Sequence, residues 1–275
     1  MLEPVSALTP SKLEAVAALE RRTVAADGGR LKLEAAALAR ESWDRVLWWD
    51  GARLLGFLGA YRFGADAELA GMVDPAARRQ GIGTALLTHL TGVLAGRGVG
   101  SALLVAPRAT DLGRAFALAR GAVLDHSEHA LALDGPLAAH EADEATVIRE
   151  AHEGDVAEVV RLVRSGFGYG DATMLQAAPG LEHLVVERNG VVIGYLRASV
   201  DDGEGGVHGF VIDESLRGRG IGRDVLARVC ARLRSHGAGR IGLEVEVDND
   251  HALGLYTSLG FAPVTTEDYF RLGTG

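Results

Sequence analysis

Two glycine-rich turns of the same composition lie 139 residues apart, Arg78-Arg79-Gln80-Gly81-Ile82-Gly83 and Arg217-Gly218-Arg219-Gly220-Ile221-Gly222. Each follows an apolar run and precedes an amphipathic helical pattern. A strand that enters a helix through such a turn gathers several backbone N–H groups into one concavity, and glycine removes the Cβ that would keep a phosphate away. The helix N-terminus adds partial positive charge, and the flanking arginines add charge-assisted donors. The chemistry implied is the binding of a pyrophosphate. A plain tight turn before a helix is the alternative for one copy; two copies in matched context favour a duplicated phosphate-binding unit. The match runs on past the turn, with Leu87 on Leu226, Leu94 on Leu233, Gly98 on Gly237, Gly100 on Gly239 and Leu104 on Leu243.

The elements that must position these turns can be read from periodicity and turn residues. In the first half, 11–26 is helical. Arg45 to Trp49 and Leu54 to Tyr61 are strands joined at Asp50-Gly51, and Ala67 to Val73 is a third strand. After the glycine turn come a helix to about Leu94, a strand at Ala102 to Val105, a helix at Asp111 to Ala119 and a closing strand at His129 to Leu133. Asp134-Gly135-Pro136 and the small, acidic stretch 138–144 mark a seam. The second half repeats the order. It has a strand at Thr146 to Arg149, a helix at Val156 to Val163, and strands His183 to Arg188 and Val191 to Val200 joined at Asn189-Gly190. A strand at Val207 to Ile212 leads into the second turn. A helix at Asp224 to Arg234, a strand at Ile241 to Val247, a helix at His251 to Leu259 and a closing strand at Tyr269 to Leu272 complete it. The expected fold class is α/β (α+β), two consecutive units over 1–137 and 145–275, each a mixed, mostly antiparallel sheet flanked by helices.

A chain of 275 residues with 48% hydrophobic residues suits two domains of moderate size. The net charge of −9 argues against a nucleic-acid partner. No apolar segment reaches membrane-spanning length and no secretory signal opens the chain, so a cytoplasmic protein without a membrane partner is expected. Cys230, the single cysteine, reads as a small buried helix residue. The histidines show no ligand spacing, so no metal is expected. Neither turn carries the Gly-Lys-Ser/Thr of a P-loop. The glycine spacing and the preceding hairpins also fit a dinucleotide-binding Rossmann unit poorly.

The pattern resembles the GNAT superfamily of acetyl-coenzyme A (acetyl-CoA) dependent N-acetyltransferases. Val211-Ile212-Asp213-Glu214-Ser215-Leu216-Arg217-Gly218-Arg219-Gly220-Ile221-Gly222 is similar to its coenzyme A signature, and Val73-Asp74-Pro75 through Gly83 is the other copy. Asn249, Ala252, Leu255-Tyr256 and Leu259-Gly260-Phe261 resemble the downstream family motif. The resemblance implies acetyl transfer from acetyl-CoA by direct attack of a primary amine, with a small-molecule acceptor expected. It places the thioester against backbone groups of Val211 and Ile212, and the pyrophosphate at 217–223, Arg217 through Arg223. In the first copy it places coenzyme groups at Val73, Arg78, Arg79, Gln80, Gly81, Ile82, Gly83 and Thr84.

The same resemblance makes Tyr256 the candidate acid for the leaving thiolate, with a packing role as the alternative. Asn249 binds the pantetheine arm or caps the next helix. For the base, the family uses a Glu on the strand before the turn, or a water chain. His208 has a suitable intrinsic pKa, and Glu204, Glu244 and Glu246 are its rivals. The first half has Ala117 opposite Tyr256 and no Asn opposite Asn249, so catalysis is expected in the second half, with the first half degenerate. A protein amine as acceptor and a non-catalytic acyl-CoA binding protein are the competing readings. The acceptor is expected to meet the first helices and the loop 164–174, and the chain to be a monomer or homodimer.

Overall fold

A computed structural model of the chain describes residues 1–28, 32, 44–63, 66–137, 142–170, 175–176 and 180–274. The stretches 138–141 of the expected seam and 171–174 of the expected acceptor loop lie outside the described residues. The chain forms two compact units, the first of residues Met1–Glu128 and Thr265–Gly275, the second of His129–Val264.

Unit 1 begins with β1 (Leu2–Val5) and α1 (Pro10–Asp27), followed by β2 (Asp44–Asp50), β3 (Arg53–Phe63) and β4 (Asp66–Val73). Thr9 caps α1 by accepting from the Lys12 amide, Pro10 opens it, and Gly28 at φ 72° ends it. β1 to β4 pair antiparallel in order. α2 (Ile82–Gly96), β5 (Ser101–Pro107), α3 (Asp111–Leu118) and the first part of β6 (Val123–Leu133) come next. β5 lies parallel to β4, which requires the crossover through α2. α1 packs on Leu47, Phe57 and Met72, and α2 packs on Val46, Leu58 and Leu69 of the other sheet face. Adjacent strand residues face opposite sides, so the sheet is sandwiched.

Unit 2 repeats the design with β7 (Thr146–Glu150), α4 (Val156–Phe167), β8 (Leu181–Arg188), β9 (Val191–Asp201) and β10 (Glu204–Ile212). α5 (Ile221–Ser235), β11 (Arg240–Glu246) and α6 (Asp250–Ser258) complete it. β7 to β10 are antiparallel and β11 is parallel to β10. The β8–β9 turn holds Asn189 at φ 53° and Gly190 at φ 76°, the left-handed pair a two-residue hairpin demands. α4 covers Val185, Tyr195 and Val211; α5 covers Leu184, Leu196 and Ile212. Cys230 is fully buried among them and its thiol is pushed up to about 12 by burial, which makes it a packing residue.

The units do not divide where the seam suggests. The last strand, β12 (Ala262–Gly273), pairs antiparallel with β5 of unit 1, Glu267 opposite Pro107 through Gly273 opposite Ser101. Phe270 and Leu272 fill the unit 1 core. Leu131 and Leu133 of β6 lie in the unit 2 core instead. The expectation that each half closes its own sheet is therefore corrected. Both expected closing strands are short, mostly apolar runs, and such a run does not specify which sheet edge it will close. Among the described residues no helix is long and apolar enough to cross a membrane.

Asp155 anchors the start of α4. Its carboxylate accepts from both Arg149 η nitrogens at 2.8 and 2.9 Å and from the His152 amide at 2.9 Å. The Arg149 hydrogen bonds, offset in part by burial, hold the acid down to about 2. A carboxyl lowered in the fold stabilises it above the unfolded pKa near 4, and that contribution fades as pH falls toward 2. Asp155→Asn is expected to lower stability by about 2 kcal/mol at pH 7. The deficit should shrink below pH 4, as read from urea midpoints across pH.

Candidate active site

The two glycine turns have nearly the same backbone. Gly81 and Gly220 precede α2 and α5 at φ 83° and 82°, a left-handed conformation that glycine adopts without penalty. A Cβ at either position would meet no atom within 4 Å, so backbone conformation and not packing demands glycine, and the space in front is open. The first N–H groups of α5, at Ile221 and Gly222, have no partner within the helix. Asp74 and Asp213 brace the turns alike, each accepting from the amide two residues on at 3.1 Å. Arg22 and Arg161, also 139 residues apart, pair with these two carboxylates.

Against this symmetry the copies differ in four ways. Arg78 donates its Nε to the Val73 carbonyl and both η nitrogens to Asp27, at 2.7 and 2.6 Å. Arg217 donates its Nε to the Ile212 carbonyl in the same manner, but Gly166 stands where Asp27 would be, and the guanidinium is exposed without a carboxylate among the described residues. Second, Arg79 adopts φ 63° where the second copy has Gly218 at φ 74°, a strain of about 1 kcal/mol for a residue with a Cβ. Gln80, Arg79, Arg219 and Arg223 are exposed around the turns, while Ile82 and Ile221 are buried and fix the helix starts. Gly83, Thr84 and Gly222 are half-buried in the first helical turns.

The third difference lies in the strand before the turn. β4 pairs with β3 without a shift from Gly56–Val73 to Phe63–Asp66. β10 pairs with β9 at His208–Arg197, then shifts, and resumes at Val211–Tyr195. The extra residue makes a β-bulge, with Gly209 at φ 58°. A bulge bends its strand and re-aims the residues beyond it. The parallel ladders, by contrast, are equally short in both units, Ala67–Ala102 to Leu69–Leu104 and Glu204–Arg240 to Gly206–Gly242, so in each the two strands part past that point. The Asp213 amide donates to Ile193 of β9. By alternation the Val211 amide also faces β9, and the Ile212 amide faces the opening. Of the two backbone positions expected at the thioester, Ile212 is the one whose amide faces away from β9.

His208 stands where the strands begin to part. Its Nε2 is 3.2 Å from Ser199 Oγ, and its face of β10 is the one opposite Val207, which packs in the α5 core. Glu244 shares that face of β11 by alternation with Leu243 and Val245. Glu246 lies two residues further on and is exposed. Glu204 is exposed at the closed end of the strand pair, about 13 Å of strand from His208, too far to act with it.

The fourth difference is on the last helix of each unit. Phe116 approaches Gly83, and Leu255 approaches Gly222, so α3 and α6 pack on the two turns in the same register. This register places Ala117 opposite Tyr256. Tyr256 is 7% exposed, and its ring meets Phe261 edge-on at 6.2 Å between centroids. Burial pushes its phenol up to about 12, and the hydroxyl takes no hydrogen bond from the described residues. Asn249 Oδ1 accepts from the Ala252 amide at 3.1 Å and so caps α6. Thr110 performs the same task for α3 by accepting from Leu112. The capping role is thus common to both units.

Sequence reasoning missed Asp27, Gly166 and Arg197. The first two show only when the 139-residue offset is carried back to α1 and α4.

The profile of the Acetyltransferase (GNAT) family matches residues 16–121 and 149–261. A protein named mycothiol acetyltransferase from Thermobispora bispora is 30% identical, over 96% of this chain and 97% of its own length. One of the same name from Clavibacter sepedonicus is 29% identical, over 91% and 84%. Among solved structures, a GCN5-related N-acetyltransferase from Sphaerobacter thermophilus superimposes with a TM-score of 0.79 at 19% identity, covering 99% of this chain and 96% of that one. A tandem GNAT protein from the clavulanic acid biosynthesis pathway gives 0.72 at 18%, covering 100% and 99%. With two profile matches, a full-length relative and a duplicated fold, the chain belongs to the GNAT acetyltransferase family, as a tandem member that transfers acetyl groups from acetyl-CoA.

Proposed function

We propose that unit 2 acetylates a primary amine of a small molecule by direct attack on the thioester, and that unit 1 holds a cradle without the catalytic groups. The observation that carries this reading is the bulged β10. It opens beside His208 on one side and leads into the exposed Arg217 turn on the other, with Tyr256 on the helix packed against that turn. At matched positions unit 1 has Ala70 for His208, an unbulged β4, Ala117 for Tyr256 and an arginine already engaged by Asp27.

In this mechanism the diphosphate of acetyl-CoA sits on the amides of Arg219 through Gly222, with Arg217 as counter-charge. The Ile212 N–H donates to the thioester oxygen as it becomes an oxyanion, a contact typically worth a few kcal/mol in the transition state. His208 takes the proton of the attacking ammonium, directly or through water, with Glu244 on the same face as the alternative base. Tyr256 donates to the departing sulfur. The relatives' name supports an acceptor of small-molecule size. A protein amine as acceptor, or acyl-CoA binding without turnover, are outcomes of the same assay.

The test compares Gly220→Val with Gly81→Val, by calorimetric titration with acetyl-CoA and by thiol release across small amines and lysine peptides. A β-branched residue at φ 82° is strained and sends a side chain into the cradle. Gly220→Val is expected to abolish turnover and the tighter binding event, and Gly81→Val to retain most activity. The reverse ranking would move the chemistry to unit 1. Release with peptides alone would point to a protein acceptor, and binding without release to a non-catalytic role.

A further inference from the structure

Arg197 lies on β9 directly opposite His208, and on the face of the sheet that His208, Ser199 and Tyr195 share. Its guanidinium rests over the bulge, 3.7 Å (Nη2) and 3.9 Å (Nε) from where a Cβ on Gly209 would be. Its Nε is buried with no hydrogen-bond partner, and no carboxylate among the described residues pairs with it. The described side chains that flank it on the same face of β8, β9 and β10, His183, Tyr195, Ser199 and His208, carry no carboxylate. His183, across the ladder on β8, bonds the Tyr195 hydroxyl through Nδ1 at 2.8 Å and the Gln176 carbonyl through Nε2 at 3.1 Å. Ser199 bonds His208. His183 is held below its usual pKa, chiefly by burial and also by the Arg197 charge. A partly buried guanidinium with an unused donor is costly unless something else pairs it. The same position in unit 1 is Gly59, opposite Ala70, so the fold itself does not require an arginine there.

We propose that Arg197 is a specificity-determining residue for the acceptor, and that the acceptor is an amine carrying a carboxylate. The carboxylate accepts from the Arg197 guanidinium at the bulge, and this contact directs the amine along β10 toward His208 and the opening. This rests on the assignment of acetyl transfer to unit 2. It adds a substrate class, an amino acid or similar ammonium carboxylate, which that assignment leaves open. A fork of N–H donors facing a planar carboxylate gives orientation as well as charge.

The test uses the full chain and unbranched ω-amino acids from glycine to 5-aminopentanoate, each against the alkylamine in which a methyl replaces the carboxyl. In the 1H–15N spectrum the Arg197 Nε resonance, assigned by its loss in Arg197→Lys, is expected to shift saturably with at least one amino acid and with none of the alkylamines. In thiol-release assays the wild type is expected to favour that amino acid over its alkylamine by about tenfold or more in kcat/KM. Arg197→Met should bring the pair to near parity with the KM for acetyl-CoA unchanged, and Arg197→Lys should restore part of the preference. An Nε resonance unmoved by every amino acid overturns the proposal, as does a preference that survives in Arg197→Met. Turnover of alkylamines with an unmoved resonance would sink the substrate class and leave acetyl transfer standing. A shifted resonance with no thiol release from any amine would sink the transfer and uphold carboxylate binding at Arg197.

Discussion

Tyr256→Phe is expected to lower kcat by about 10²- to 10³-fold, the loss typical of removing one donor from a developing anion, while the Kd for acetyl-CoA stays within about twofold of the wild type. Phenylalanine keeps the buried ring and its edge contact with Phe261, so the fold and the cradle are untouched. What disappears is one hydroxyl that takes no bond from the described residues. Its pKa of about 12 refines the role. A thiol titrates near 8.5, so a phenol at about 12 shares its proton with the thiolate as a hydrogen bond and does not surrender it fully. The group remains protonated across the whole neutral range. The kcat profile should therefore show no alkaline limb from Tyr256 between pH 7 and 10. Full turnover in Tyr256→Phe would leave the residue a packing tyrosine and remove it from the mechanism.

The second large effect is structural. Cutting the chain at residue 137 is expected to leave neither fragment folded. The fragment 1–137 lacks β12, so β5 loses its antiparallel partner and the core loses Phe270 and Leu272, 1% and 9% exposed. Tyr269, fully buried against Leu103 and Val105, goes too. The fragment 145–275 lacks Leu131 and Leu133, each 1% exposed in the unit 2 core. Each loss exposes an open sheet edge together with an unfilled core, at several kcal/mol per large side chain, against a typical domain stability of about 5–15 kcal/mol. Circular dichroism and amide dispersion of the separate fragments read the result directly. A well-dispersed spectrum from 145–275 alone would mean that its sheet closes without β6. Mixing the two fragments should restore structure that neither shows alone.

The repeat, the glycine turns and the Ala117–Tyr256 contrast were legible because they depend on local chemistry. A left-handed glycine before a helix, or a missing phenol, shows in a handful of residues. The hairpin at Asn189-Gly190 was legible for the same reason; the one expected at Asp50-Gly51 turns one residue later, at Gly51-Ala52, with Asp50 paired to Arg53. The bulge was not, because one inserted residue in β10 looks like part of the loop before it, and the fixed offset beyond the turn conceals it. The engagement of Arg78 by Asp27 needs a residue 51 positions away, and its absence at Arg217 goes with a glycine, Gly166, where a Cβ would come within 2.7 Å of Val211. The exchanged strands were illegible in principle from pattern alone. His129 to Leu133 and Tyr269 to Leu272 both read as closing strands, and alternation does not say which edge a strand will close. β1 was passed over because four residues ending at Val5 carry too little periodicity.

The exchange of β6 and β12 also sets an order of events in the cell. The strand that finishes unit 1 leaves the ribosome only after all of unit 2 has been made, since Ser101 waits for Gly273. Unit 1 must stay incomplete throughout that synthesis, with β5 unpaired on one side, while unit 2 already has its own last strand in hand. Pairing across so long a span of chain is slow to form. The half to which we assign the chemistry is thus the one able to mature first, and the other cradle is sealed last.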